Sequence, residues 1–322
     1  MVSENLRVLA DSFFAKFETR MWRREKDAFL EHCQAEFARL GYSDEEITVR
    51  KDRNLFGLTS KNLLVGPPDA DILITAHYDT PANNGILMAA SPLVGTALSA
   101  VVLLIIFAGL GFLQGHLRGV GFLTSTTSIA IDILFFAVFA AVFLIKNKHN
   151  HSDNTSGVIG VFNMAMLVAE NPDLRKKCAF VLFDHEEILP GLLGSRAFAK
   201  WRRKTHPDKA NGRVINLDCI GNGDVLALMT RKKHEDWHRM ADFFKGEGFD
   251  VAKVRGGLAG NSDHAVFPKG VTLLYQKRSL LGPLYIPRIH TRRDTVCDLE
   301  GIERLSASVY KYICDASGIP EK

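Results

Sequence analysis

Between Asp79 and Lys146 the chain carries only two charged side chains, Arg118 and Asp132. No other feature constrains the fold as strongly, because so long an apolar run must be covered by a core, a partner or lipid. Residues 92–113 are uncharged, and residues 129–145 hold no charge except Asp132. At about 1.5 Å per residue, roughly 20 residues cross a hydrocarbon core of about 30 Å, so the first stretch suffices and the second just reaches. Residues 114–119 and 124–128 read as the connection between them. Asp132 would cost roughly 2.5–3.5 kcal/mol at a bilayer centre and much less near its edge, which favours a late start for the second span. The expectation is a hydrophobic helical hairpin over 86–145 that spans a bilayer, with self-association or a lid over the site as the alternative use. Lys146 and Lys148 flank the return end whereas Arg118 stands alone in the loop, a bias that places the rest of the chain on the cytoplasmic side.

This segment alone makes the chain look greasy. The 322 residues are 47% hydrophobic and 24% charged, and without 86–145 the charged share rises to about 28%, an ordinary soluble composition. The net charge of +4 is mild, and Lys and Arg are scattered among acids. A nucleic-acid partner is therefore not expected, since that needs a clustered basic face. Five cysteines far apart, without Cys-x-x-Cys spacing, argue against a disulfide framework or a thiolate zinc site. The first 27 residues are amphipathic and charged, without the apolar stretch of a cleavable signal peptide.

Apolar residues at three-and-four spacing from 4 to 40 predict one or two helices closed by Gly41. Short strands are expected at 54–58, 62–65, 72–76, Cys178–Phe183, Arg213–Leu217 and 271–275, with a looser one at 286–289. Helices are expected at 157–170, 196–204, Glu235–Gly246 and 299–315, and a Gly-rich stretch at 256–260. Strands alternating with amphipathic helices predict an α/β fold whose largely parallel sheet is covered on both faces.

Four of these strand-like runs finish in an acid or a histidine: His77 and Asp79, Glu186 and Glu187, Asp218, and His290. In open α/β sheets, sites assemble beyond the carboxyl ends of strands, so side chains distant in sequence converge there. Two histidines and several carboxylates without cysteine form the ligand set of a hydrolytic zinc site. Carboxylates that bridge would suit two ions about 3.5–4 Å apart.

These residues stand in six motifs in order: AHYDT (76–80), HSDNTSG (151–157), FDHEE (183–187), NLDCIG (216–221), NSDHAVF (261–267) and IHTRRDT (289–295). So ordered, the sequence resembles the co-catalytic zinc peptidases that include bacterial and vacuolar aminopeptidases, glutamate carboxypeptidase and, as a divergent branch, glutaminyl cyclase. The resemblance spans roughly 50–315 apart from the insertion. It implies a three-layer α/β/α zinc-exopeptidase fold with a mixed, mostly parallel sheet, discontinuous over 1–85 and 146–322. It also implies a metallopeptidase of aminopeptidase type with two Zn2+ ions, for which cobalt or manganese could substitute, acting on a peptide or acyl-amino substrate.

Carried over by position, His77 and Asp218 would hold one ion, Glu187 and His290 the other, and Asp153 would bridge them. Asp79 would accept a hydrogen bond from the His77 ring, and Glu186 would be the general base. Adjacent residues of an extended segment point to opposite sides, which lets Glu187 bind metal while Glu186 faces the reacting water. Asn154 would orient its loop or simply serve its turn, Asp263 and His264 would line or tie together the site, and Asp294 and Thr295 would cap the turn presenting His290. Arg292 and Arg293 would steer an acidic or carboxylate group or, as the better reading, form a solvated loop pair. The insertion departs from the family, where a short loop separates the first His motif from the bridging Asp. Its base lies between two site motifs, which would bring the site close to the lipid surface. A catalytically silent scaffold and a single-zinc glutaminyl cyclase-like acyltransferase are the competing readings. The five intact ligand positions and Glu186 argue against the first, and the full two-metal set argues against the second.

Overall fold

The computed structural model describes residues 2–53, 57–188, 190–257 and 261–321. Helices α1 (Glu4–Lys16) and α2 (Arg23–Arg39) open the chain, burying Leu6, Leu9 and Phe13 from the first and Phe29, Cys33 and Phe37 from the second. Gly41 follows at φ 82°, the left-handed conformation that ends a helix with no Cβ clash.

Among the described residues nine strands form one sheet: β1 (Ile47–Arg53), β2 (Thr59–Val65), β3 (Ile72–His77), β4 (Cys178–Phe183), β5 (Arg213–Leu217), β6 (Val225–Thr230), β7 (Val251–Arg255), β8 (Gly270–Arg278) and β9 (Leu284–Tyr285). Their spatial order is β1-β2-β4-β3-β5-β8-β6-β7, with β9 on β8. The centre, β4-β3-β5-β8, runs parallel; β2 is antiparallel to β1 and β4, β6 and β9 are antiparallel to β8, and β7 runs parallel to β6. Between β3 and β4 lie α3 (Ser91–Val94), α4 (Thr96–Gly119), α5 (Ser125–Leu144), α6 (Gly157–Ala169) and α7 (Pro172–Arg175). Helices α8 (Leu193–Thr205), α9 (Glu235–Gly246) and α10 (Leu299–Ser317) follow β4, β6 and β9.

Strand alternation sorts the core into layers. Ile72, Ile74 and Ala76 of β3 join the larger apolar cluster with α1, α2, α6, α9 and α10. Leu73, Val181, Phe183 and Val214 face the other way onto Phe198 and Ala199 of α8. Helices on both faces of a mixed, mostly parallel sheet make the expected three-layer α/β/α fold.

Several elements depart from expectation. The strand expected at 54–58 falls mostly outside the described residues, and the observed strand precedes it at β1. Strands β6 and β7 were not anticipated. Residues 258–260 of the Gly-rich stretch also lie outside the described residues. The run at 286–289 is no strand but a turn, with Arg288 and His290 at positive φ.

In the insertion, α4 runs straight through residues 114–119, so the connection shrinks to 120–124. The helices pack antiparallel, with Phe107 edge-on to Phe135 and Gln114 donating to the Asp132 carboxylate at 3.0 Å. That bond satisfies the one acid of the hairpin, and α5 accordingly starts earlier than its cost alone suggested. Helix α4 is long and apolar enough to cross a membrane, and little of it is buried. Phe112 is 80% exposed and Phe136 73%.

The legs of the insertion meet where it leaves the body. Ala82 bridges Lys146, Asn83 N–H donates to the Ile145 carbonyl at 2.7 Å, and Lys146 pairs with Glu25 of α2. At its foot Leu280 and Leu281 donate backbone hydrogen bonds to the carbonyls of Pro92 and Leu93.

Phe162 of α6 stacks on Phe37 at 4.2 Å between ring centroids and tilts against Phe13 at 5.5 Å, tying three helices together. Phe162→Ala should cost about 3–5 kcal/mol, because the cavity left between those rings cannot collapse. A denaturant titration in detergent showing under about 1 kcal/mol would contradict that packing.

Candidate metal centre

Parallel register brings the first ligands to one edge. His77 pairs with Phe183 across β3 and β4, and Thr75 pairs with Asn216 across β3 and β5, so the residues following each strand emerge together. Asp153 arrives from the turn before α6. That helix starts hard against β5: a Cβ on Gly157 would collide with the Leu217 carbonyl and the Asn154 side chain, so only glycine permits the approach.

The five expected ligands converge. His77 Nε2 lies 3.4 Å from Asp153 Oδ1 and 3.6 Å from Asp218 Oδ1. His290 Nε2 lies 3.0 Å from Asp153 Oδ2 and 3.5 Å from Glu187 Oε1. The two oxygens of Asp153 thus face two different imidazoles, each with its own second carboxylate. Glu186 stands beside this set, within the electrostatic reach of His77, Glu187, Asp218 and Asp263.

What holds these groups is a set of carboxylate-to-backbone bonds. Asp79 accepts from the amides of Glu186 and Glu187, both at 3.1 Å. The His77 Nδ1 hydrogen bond goes to the Asp79 backbone carbonyl at 3.1 Å, while the Asp79 carboxylate is 3.7 Å away. The expected ring contact is therefore made by the main chain, and the side chain positions the Glu186–Glu187 segment instead. Asp294 does the same for the bridging residue, accepting from the Ser152 and Asp153 amides at 3.0 Å each. Its side chain does not cap the His290 turn as expected, although its amide closes that turn on the Thr291 carbonyl.

Asn154 ties α6 to β5: its Nδ2 donates to the Leu217 carbonyl at 3.0 Å, and its Oδ1 accepts from Gly157 and Cys219. Asp263 and His264 are fully buried. His264 Nδ1 meets Thr272 Oγ1 at 2.6 Å, and Asn216 links Thr272, Ser262 and Thr75 beneath the ligands. His264 therefore ties the site together from below, whereas both carboxylate oxygens of Asp263 are buried without a hydrogen-bond partner among the described residues. Arg292 and Arg293 are exposed, as expected for a loop pair.

Burial opposes charge on His77, but Glu186, Asp153, Asp218 and Asp79 outweigh it and raise the imidazole well above its ordinary value. Burial, with Glu187, Asp218 and Asp263, pushes the Glu186 carboxyl well up against the pull of His77. Glu187 is raised too, by burial and Asp153. Asp263 is pushed up to about 7 by burial, then by Asp79 and Asp218, with His77 and Ser195 pulling the other way. Burial holds His264 down to about 4. This excess of crowded acid, together with the buried Asp153 Oδ2 that accepts no hydrogen bond, fits a cation. Imidazole nitrogens and carboxylate oxygens without thiolate are the donors zinc takes in hydrolytic sites. Cys219 lies within 4.8 Å of Asp153 and Asp218, and burial with those acids raises its thiol well above the usual range.

Sequence reasoning missed the cations behind the site. Fully buried Arg20 donates to the carbonyls of Tyr78 and Phe17 at 2.5 and 2.6 Å and lies over the Phe29 ring. Lys26 pairs with buried Asp184 at 2.7 Å, next to the acids of the site. A basic residue in a loop, as Arg20 is, or on an amphipathic helix, as Lys26 is, carries no signal that it points inward. Backbone strain was equally hidden: His185, Cys219 and His290, each at a site residue or next to one, have φ of 58°, 53° and 58°.

Comparison with known proteins bears on the family and the fold. Residues 147–313 match the family described as Peptidase family M28. No curated protein matches the sequence. Among solved structures, the LapA aminopeptidase of Legionella pneumophila aligns at TM-score 0.61 and 14% identity, covering 98% of this chain and 72% of that one. The glutaminyl cyclase of Porphyromonas gingivalis aligns at 0.63 and 16%, covering 98% and 99%. A Zn-dependent exopeptidase from Parabacteroides distasonis aligns at 0.58 and 15%, covering 94% and 97%. At such identities these likenesses concern the fold.

Asp294→Asn replaces an acceptor of two amides with a group that presents one donor to them. Zinc affinity should fall about 10- to 100-fold with the fold retained. Competition with a chelator, alongside far-ultraviolet circular dichroism, measures this, and unchanged affinity would remove Asp294 from the positioning set.

Proposed function

This chain belongs to peptidase family M28, and from that premise we propose that it hydrolyses peptide bonds with two zinc ions, removing N-terminal residues from short peptides. The observation that carries the reading is the Asp153 carboxylate, whose two oxygens each face a separate imidazole paired with a further acid. His77 and Asp218 would hold one ion, His290 and Glu187 the other, with Asp153 between them. When bound, the ions polarise the scissile carbonyl and acidify the attacking water.

The chain's own residues supply the rest. Glu186, held by its amide on Asp79, takes a proton from the attacking water at a carboxylate oxygen and delivers it to the leaving amine. Asp79 and Asp294 keep the base and the bridging residue at a fixed separation. The Thr75–Asn216–Thr272–His264 network holds the strand ends beneath them. Glu186→Gln should retain zinc and lose about 10²- to 10⁴-fold in turnover of aminoacyl chromogenic amides. Retained activity would remove Glu186 from the role.

The similarity to glutaminyl cyclases supports a second reading, intramolecular acyl transfer on N-terminal glutamine. Incubation with a glutaminyl amide separates the two: release of free glutamine supports hydrolysis, and a pyroglutamyl product supports cyclisation.

The hydrophobic hairpin makes the enzyme membrane-associated in this proposal, with 86–145 in lipid and the discontinuous body, 1–85 and 146–322, on the cytoplasmic side. Its support is the length and exposure of α4 together with Lys146 and Lys148 at the return end. Site and bilayer would then lie close, favouring short peptides or acyl-amino compounds released at the membrane. Replacing 86–145 by a short Gly-Ser bridge should move the protein from the membrane to the soluble fraction with its zinc intact. Unchanged fractionation would exclude lipid as the partner of the hairpin.

A further inference from the structure

The return leg of the insertion crosses the loop that joins α1 to α2, and the crossing gathers three metal-binding side chains that the catalytic reading leaves unused. His149 Nδ1 lies 2.9 Å from Glu18 Oε1, and His151 Nε2 lies 3.9 Å from the same oxygen. One donor atom of each residue falls within 4.8 Å of the other two. We propose that Glu18, His149 and His151 form a separate divalent-cation site of the zinc class at the neck of the insertion.

Distances favour a shared ion. Tetrahedral zinc with nitrogen and oxygen ligands at about 2.0–2.1 Å separates those ligands by roughly 3.3 Å, and the two contacts to Glu18 bracket that spacing. A simple ion pair between Glu18 and His149 accounts for the shorter contact alone. It leaves His151 Nε2 buried without a hydrogen-bond partner, which is costly for a polar atom. The ring does not drift, because Phe14 stacks on it at 4.2 Å with 19° between planes. Asn150, between the two histidines, donates from its side chain to the Glu18 carbonyl at 2.7 Å and fixes the crossing from the other side.

Two imidazoles and a carboxylate suit zinc, cobalt or nickel better than calcium or magnesium, which take all-oxygen shells. Glu18 and His149 are 40% and 34% exposed, so solvent completes the coordination. No residue is shared with the catalytic set. The ion would clip the N-terminal segment to the chain leaving the insertion, two residues before the bridging Asp153.

The test uses the full chain in detergent, equilibrated with micromolar zinc and freed of excess, with bound metal counted by elemental analysis. His149→Ala should carry one zinc fewer than the wild type, keep peptide hydrolysis within about twofold, and lose part of the zinc-induced rise in melting temperature. Glu18→Gln, which keeps an oxygen facing His149, should show the same loss and covers the case in which His149→Ala fails to fold. Equal zinc content in wild type and both variants overturns the proposal. So does a neck whose stability follows pH but not zinc, the mark of an ion pair alone. Asp218→Asn reports on the catalytic ions independently, so failure at one site is not mistaken for failure at the other.

Discussion

Everything in this molecule turns on the cost of burying carboxylates together. Asp79, Asp153, Glu186, Glu187, Asp218, Asp263 and Asp294 crowd one end of the sheet around two histidines, where each uncompensated charge is expensive. The chain meets that cost by dividing the acids into two kinds. Asp79 and Asp294 spend both oxygens on successive backbone amides and become fixed anchors. Their rigidity leaves Asp153, Glu187 and Asp218 aimed at the imidazoles with acceptor capacity to spare, which is the condition a cation needs. Arg20 and Lys26, buried behind the strand ends, lower the cost from the opposite side without entering the cleft.

The parallel centre of the sheet explains why so few residues suffice. Neighbouring strands in register deliver their following residues to one edge, so His77 and Asp218 need no further device to be near each other, whereas Glu186 and Glu187, beyond the end of β4, are held by Asp79. Asp153 and His290 come from turns and do need one. The first has Asn154 and Asp294; the second takes a left-handed conformation at its own Cα. Distance from the sheet edge and the amount of local apparatus go together.

The same distinction separates what the sequence made legible from what it did not. Strands β3, β4 and β5 were readable because each is a short apolar run bounded by a turn signal and closed by an acid or histidine. Their ligands came with them; His290 was read from a run that is in fact a turn, and Asp153 followed from the ordered motifs. Edge strands were harder: β1 contains Arg50, Lys51 and Asp52, so nothing in its pattern separates it from a loop. The place of Asp294 was hidden for another reason. Its bonds run to amides some 141 and 142 positions away, and a backbone donor has no residue type to betray it. Asp79 was expected to receive the His77 ring on its carboxylate, but the ring bonds its main-chain carbonyl, a choice that depends on a ring rotation and leaves no mark in the sequence.

The neck at Ala82 and Lys146 has one more meaning. Because the two legs already pair there, the ends of the intervening chain are held together whatever lies between them, and the entropy of closing the loop grows only slowly with its length. Such a point behaves as a socket. A fold with one can exchange a soluble loop for a lipid-seeking arm, or the reverse, without moving a single ligand, so habitat and chemistry are free to evolve on separate schedules.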